Sequence, residues 1–242
     1  MAEYNPYARE ELLNVIRRRG GFEEDVVHEV DLSELQFGGL RVVRTTLRNA
    51  SLAGSRLPGS QWLDTAVQGV SLRKADLAGA VIENCAFTGS DLIEVDLSDA
   101  KISGVVFDGC GLVNSKLRGA VFANCTFTAT DLYRADLSGA RLLHCKFRDP
   151  NLGSASLARV RFQDALLLDC DLKEASLREG LLEGAVFVSC DLRGVNAQEA
   201  TLRGASIVAC NAEQINFEQA SLQDLRHAGT RFYHASTRGA EF

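Results

Sequence analysis

Stepping through the chain by five from Leu32 lands on a large apolar residue almost every time: Leu32, Phe37, Val42, Leu47, Leu52, Leu57, Trp62, and onward to Phe242. These 43 positions run without an insertion, and only Ala197, Ala212, His227 and Thr237 depart from the rule. Two residues before each centre sits a small one, as at Ala75, Ala80, Cys85, Ser90 and Ala100. Two residues after it glycine recurs, as at Gly79, Gly89, Gly109 and Gly119, and the residue just before it is often Asp, Asn or Ser. A period of five fits neither regular element. A helix would turn about 500° per repeat and carry the apolar positions round its surface, and an alternating strand would flip the centre from face to face. A backbone that turns a corner every five residues keeps each centre inside, with room beside it for only a small side chain. Four such segments close a coil of 20 residues.

Units such as Ala75-Asp76-Leu77-Ala78-Gly79 and Ala135-Asp136-Leu137-Ser138-Gly139 resemble the pentapeptide-repeat family, and the resemblance covers roughly Val30 to Phe242. It implies an all-β solenoid, a right-handed quadrilateral β-helix. About ten to eleven 20-residue coils stacked at about 4.8 Å would make a rod about 50 Å long. Residues 20 apart would then stack, so Phe87, Phe107, Phe127 and Phe147 are expected as a column of rings, with Phe187 two coils further on. No coil buries its centre alone; its neighbours do that.

Residues 1–29 fall outside this reading, giving two segments, 1–29 and 30–242. Asn5-Pro6 offers an N-cap and a first-turn proline, Glu10 and Glu11 suit an early turn, Arg17, Arg18 and Arg19 suit a last one, and Gly20-Gly21 a stop. A helix from about Pro6 to Arg19 is predicted, followed by an extended link, with the helix capping the open end of the solenoid. No helix is expected at the other end. An uncapped coil exposes apolar centres and strand edges, which invites end-to-end homodimerisation.

Composition then excludes several functions. The longest apolar runs are about four residues, as at Ala165 to Leu168, too short for a membrane helix. A net charge of −6 argues against direct nucleic-acid binding. All seven cysteines, Cys85, Cys110, Cys125, Cys145, Cys170, Cys190 and Cys210, occupy the small internal position. They read as small hydrophobes filling corners rather than as metal ligands or nucleophiles. An odd count, with no signal-like layout in the first residues, favours a reducing cytoplasm as the expected location. The four histidines have no metal spacing, and no phosphate loop or catalytic triad is present. Neither enzymatic activity nor a cofactor is expected.

Two outward features remain. Between Ala75 and Ala100 stand six acids and no base, and Asp76, Asp91, Glu94, Asp96 and Asp99 form a candidate acidic face. Leu166, Leu168, Val186, Val188 and Val208 form a candidate apolar strip over three successive coils, and Ile93, Val113 and Tyr133 a shorter column. The expectation is a non-enzymatic rod that binds a partner protein through its acidic and apolar faces. The resemblance adds an alternative. One branch of the family mimics duplex DNA, binds DNA gyrase or topoisomerase IV, and protects them from quinolones or other topoisomerase poisons. Against mimicry, residues 31–242 hold 25 acids and 22 bases, whereas duplex DNA carries a charge about every 1.7 Å. Any mimicry would be local, near residues 76–99.

Overall fold

A computed structural model describes residues 6–242 of the protein. The chain forms one parallel β-solenoid behind a single helix, α1 (Pro6–Arg19). Asn5, the expected N-cap, lies outside the described residues. The helix ends where Gly20 adopts φ 78° and returns its N–H to the carbonyl of Ile16 at 2.8 Å, a closure that glycine allows without steric cost. Ile16 is fully buried, and Leu12, Leu13 and Val15 lie against the core. The guanidinium of Arg9 donates to the carbonyls of Asp31 and Ser33 in the first coil. The helix thus covers apolar surface at the first coil.

The solenoid begins earlier than the period suggested. Residues 20–29, read from the sequence as a link, supply two strands, Gly21–Glu23 and Val26–His28, which pair in parallel with Arg41–Val43 and Thr46–Arg48. Phe22 and Val27 are buried centres in the same phase of five, two units before Leu32.

Each coil has four sides. Two carry continuous sheets of three-residue strands. An eight-stranded sheet runs from Gly21–Glu23 to Arg161–Gln163, and an eleven-stranded sheet from Val26–His28 to Arg226–Ala228, with successive strands 20 residues apart over most of their length. The other two sides pair through single parallel bridges at the same step, such as Asp91 with Gly111 and Asp96 with Lys116. Every side therefore hands its backbone groups to the next coil; Leu72 donates to the Asp91 carbonyl at 2.7 Å and Asp91 to that of Val70 at 2.9 Å. This satisfies the backbone inside a body one coil wide.

The corners explain the glycines. The residue two after each centre has positive φ all along the solenoid, from Glu24 to Gly239. Glycine is preferred there because L-residues pay a steric penalty in that region.

The centres stack as predicted. Phe107 lies over Phe87 with ring centroids 5.2 Å apart, Phe127 over Phe107 at 5.0 Å, and Phe147 over Phe127 at 4.7 Å. Ala197 and Ala212 are buried centres despite their size, but His227 and Thr237 are exposed. They lie in the last described coils, where Phe217, Leu222, Leu225, His227, Phe232 and Phe242 line an open hollow of about 140 Å³.

Candidate functional site

The small internal position is not chemically uniform, and its chemistry follows the corner. On the two bridge-paired sides the chain closes a type II turn, with the small residue's N–H donating to the carbonyl of the centre three residues earlier, as in Ala75 to Leu72 at 3.0 Å with Lys74 at φ 58°. At corners that follow the sheet strands no such bond forms, and where Thr, Ser or Cys stands there its side chain usually donates instead, whereas Val30, Ala50, Val70, Val105, Pro150 and Ala165 offer no donor. Thr65 Oγ1 lies 2.9 Å from the Leu63 carbonyl and 3.2 Å from that of Val42 in the preceding coil. Ser90 makes the same pair of contacts with Thr88 and Val67, and Cys85 Sγ does so with Glu83 and Trp62 at 3.2 and 3.4 Å. All seven cysteines stand at sheet-following corners and are buried. They fill corners, as the sequence suggested, and each thiol also serves a buried carbonyl. Burial pushes the Cys85 thiol up to about 11. A hydrogen bond with Cys170, together with burial, pushes Cys190 up to about 12. Among the described residues no cluster of His, Cys, Asp or Glu has the arrangement of a metal site.

The acidic face is brought together as expected, but it is largely neutralised. Asp76, Asp91 and Asp96 are half-buried. Each turns a carboxylate oxygen back to accept the backbone N–H two residues on, from Ala78, Ile93 and Ser98 at 3.1, 3.0 and 3.0 Å. This is the Asx-turn geometry that favours Asp or Asn before a centre. Burial pushes the Asp96 carboxyl up, but the hydrogen bonds from Ser98 and the charge of Lys116 reverse this and hold it below the ordinary carboxylate range. Bases from neighbouring coils complete the neutralisation: Arg73 meets Asp91 at 3.0 Å, Lys116 meets Asp96 at 3.4 Å and Lys74 meets Glu94 at 3.7 Å. Asp76 and Asp99 have no ion-pair partner among the described residues. Arg73 and Lys74 lie just outside the acid-only window in sequence and Lys116 sixteen residues beyond it, yet each reaches its acid from the adjoining coil.

The apolar strip lies on the eleven-stranded sheet. Strands Leu166–Leu168, Val186–Val188 and Ser206–Val208 are adjacent and in register, so Leu166 stands beside Val186, and Leu168 beside Val188 and then Val208. Their centres, Leu167, Phe187 and Ile207, point inward and are buried, which turns the flanking residues outward. All five strip residues are half-buried, shielding one another while leaving their outer surfaces open. Ser206 ends the column of Leu166 and Val186. The shorter column of Ile93, Val113 and Tyr133 is also half-buried, and the Arg134 guanidinium lies 5.1 Å from the Tyr133 ring centre.

Among the described residues no helix is long and apolar enough to cross a membrane. No curated protein matches the chain. Among solved structures, HetL, a pentapeptide repeat protein involved in regulating heterocyst differentiation in the cyanobacterium Nostoc sp., is 22% identical over 94% of each chain, with a TM-score of 0.49. Full-length QnrB1, a plasmid-mediated fluoroquinolone resistance protein, is 15% identical over 92% of this chain and 93% of its own, with a TM-score of 0.34. A pentapeptide repeat protein from the thylakoid lumen of Arabidopsis thaliana is 25% identical over 56% of this chain and 73% of its own, with a TM-score of 0.29. The family model for pentapeptide repeats matches eight copies across residues 71–109, 107–142 and 170–207. With eight matched copies inside an unbroken period of five, folded as a four-sided coil, the chain belongs to the pentapeptide-repeat family.

Proposed function

We propose that this protein is a non-enzymatic interaction module, a rod that binds a partner protein mainly through the Leu/Val strip. The observation that carries the reading is the in-register block of Leu166, Leu168, Val186, Val188 and Val208 on the eleven-stranded sheet. Contiguous outward apolar surface rimmed by polar residues marks protein contact sites. A photo-crosslinking residue placed at Val188 tests it in the cells that make the protein, with the same residue at Thr88, five strands away on the same sheet, as the control. A discrete adduct at 188 that is absent at 88 is expected. Equal labelling at both positions, or none at 188, refutes the strip as a binding site.

A second reading, protection of DNA gyrase or topoisomerase IV through local DNA mimicry, draws on the unpaired Asp76 and Asp99. The ion pairs on Asp91, Glu94 and Asp96 leave it less charge than the sequence window suggested. A gyrase supercoiling assay with a quinolone decides it. Protection that disappears in the Asp76→Asn/Asp99→Asn double variant supports it, and no effect at large excess removes it. End-to-end homodimerisation over the hollow around Phe232 and Phe242 belongs to the same proposal and is read from the mass in light scattering.

A further inference from the structure

We infer that the partner of the Leu/Val strip is a short amphipathic α-helix carrying acidic residues near both ends, lying along the rod axis. The inference rests on the strip being a binding site and adds the chemistry of what binds it. The strip is small: three strands at about 4.8 Å and two outward positions per strand, about 7 Å apart, give a patch on the order of 200 Å². A stable protein–protein interface buries about 800 Å² per partner, so the strip by itself is too small to hold a second globular surface.

Charge excludes a second copy of this chain. Lys146 and Arg148 stand on the strand before the strip and Arg226 on the strand after it. All three are exposed, and none forms an ion pair among the described residues. Two copies packed face to face about a two-fold axis set either Lys146 and Arg148 opposite themselves or opposite Arg226. Both arrangements bring cations together as the apolar centre closes. The long sides of the strip are mixed: exposed Asp169 stands at one corner, with Ser189 and Ala209 in the same place on the next coils, and Asp164, Glu183 and Arg203 lie toward the other; Asp164 also meets His144 at 3.3 Å. A uniformly anionic surface such as a lipid headgroup layer would meet these acids as well as the bases. Bases at both ends of the strip call for a ligand with acids at its ends.

Backbone geometry selects the helix. The strands of the strip already pair on both edges, so no free backbone groups are offered to an added strand, and the ligand must bind by side chains. An apolar stripe at i, i+3 or i+4, and i+7 is about 10 Å long, which matches the two strand steps from Leu168 to Val208. From Lys146 to Arg226 is four steps, about 19 Å, or about 13 helical residues. Acids at that separation reach both basic ends.

The test uses the full chain and two fluorescein-labelled synthetic helices that share one Leu stripe, one ending in Glu-Glu on both sides and the other in Lys-Lys, read by fluorescence anisotropy. The Glu-ended peptide is expected to bind saturably and about tenfold more tightly than the Lys-ended one, the size expected of a few exposed charge pairs. Val188→Asp is expected to abolish binding of both. Lys146→Glu/Arg148→Glu/Arg226→Glu is expected to reverse the preference, and because these side chains point into solvent, circular dichroism should remain unchanged. Equal binding of the two peptides, or a preference the triple variant does not reverse, overturns the acidic-helix assignment. So does the absence of binding by either peptide up to about 1 mM, a weak-binding ceiling of about 4 kcal/mol. The strip itself stands or falls separately, on the crosslink at position 188.

Discussion

Replacing Phe127 by Leu isolates what the aromatic column contributes beyond simple burial. Phe127 is fully buried between Phe107 and Phe147, with centroids at 5.0 and 4.7 Å and ring planes 12° and 3° apart, and meets the edge of Phe122 at 5.5 Å. Phe187 occupies the same phase on the same sheet, but its strand neighbours are Leu167 and Ile207, and its one ring contact is a tilted Phe162 at 6.5 Å. The substitution removes similar apolar area at either site, so that common loss cancels in the difference. What remains is three ring contacts against one at about 0.5–1.5 kcal/mol each, so Phe127→Leu should cost about 1–3 kcal/mol more than Phe187→Leu. The assay is urea unfolding followed by far-ultraviolet circular dichroism and by fluorescence of Trp62, the chain's one tryptophan, which is buried. Coincident curves establish that the coils unfold together, a condition stacked repeats do not always meet. Equal losses at the two sites, within about 0.5 kcal/mol, would refute an aromatic contribution beyond burial.

Further expectations follow from the corners and the charges. Ser115 Oγ and Thr130 Oγ1 are buried without a hydrogen-bond partner, so Ser115→Ala and Thr130→Val should be neutral or stabilising by about 1 kcal/mol, whereas Thr65→Val, which strips a donor from two carbonyls, should cost about 0.5–2 kcal/mol in the same urea assay. The Arg193 guanidinium holds the Asp191 carboxyl below its ordinary range, and Asp96 and Asp136 are also held low. Their contribution to stability is complete above the unfolded-state value of about 3.9 and is lost as pH falls through the lower folded values. Urea midpoints measured from pH 7 down to pH 2 should therefore fall less in Asp191→Asn than in the parent, and an unchanged slope would contradict the pairing. Burial raises the Cys85 thiol to about 11, so a thiol reagent at pH 8 should label it only after denaturant is added. Rapid labelling of the native protein would mean the corners open readily.

The helix and the solenoid were both legible in the sequence. The helix spans Pro6–Arg19 as expected, with Arg17, Arg18 and Arg19 in its last turn though no acid in its first, and the column of Phe87, Phe107, Phe127 and Phe147 forms as a 20-residue repeat requires. The strip of Leu166, Leu168, Val186, Val188 and Val208 was legible for the same reason, since the position of a residue relative to its centre sets whether it points in or out. The start of the solenoid is not legible in the sequence, because Phe22 and Val27 keep the phase of five while their neighbours Glu24, Asp25 and Glu29 lack the small and glycine positions that mark later units.

The sequence by itself determined the repeat, its core and its outward positions, because these depend on sterics within each five-residue unit. The tertiary structure decided which charges meet and which corners need a side-chain donor. Asp91, Glu94 and Asp96 in the acid-only stretch from Ala75 to Ala100 are paired by Arg73, Lys74 and Lys116, partners 18 or 20 residues away that become neighbours only when the coil closes. Thr, Ser and Cys likewise matter at corners after sheet strands, where no turn hydrogen bond reaches the buried carbonyl. The five-residue period alone does not distinguish those corners from the ones that close as type II turns. Both outcomes depend on contacts between successive coils, and so on a distance of 20 residues that exists in space only after the chain has wound round its four sides.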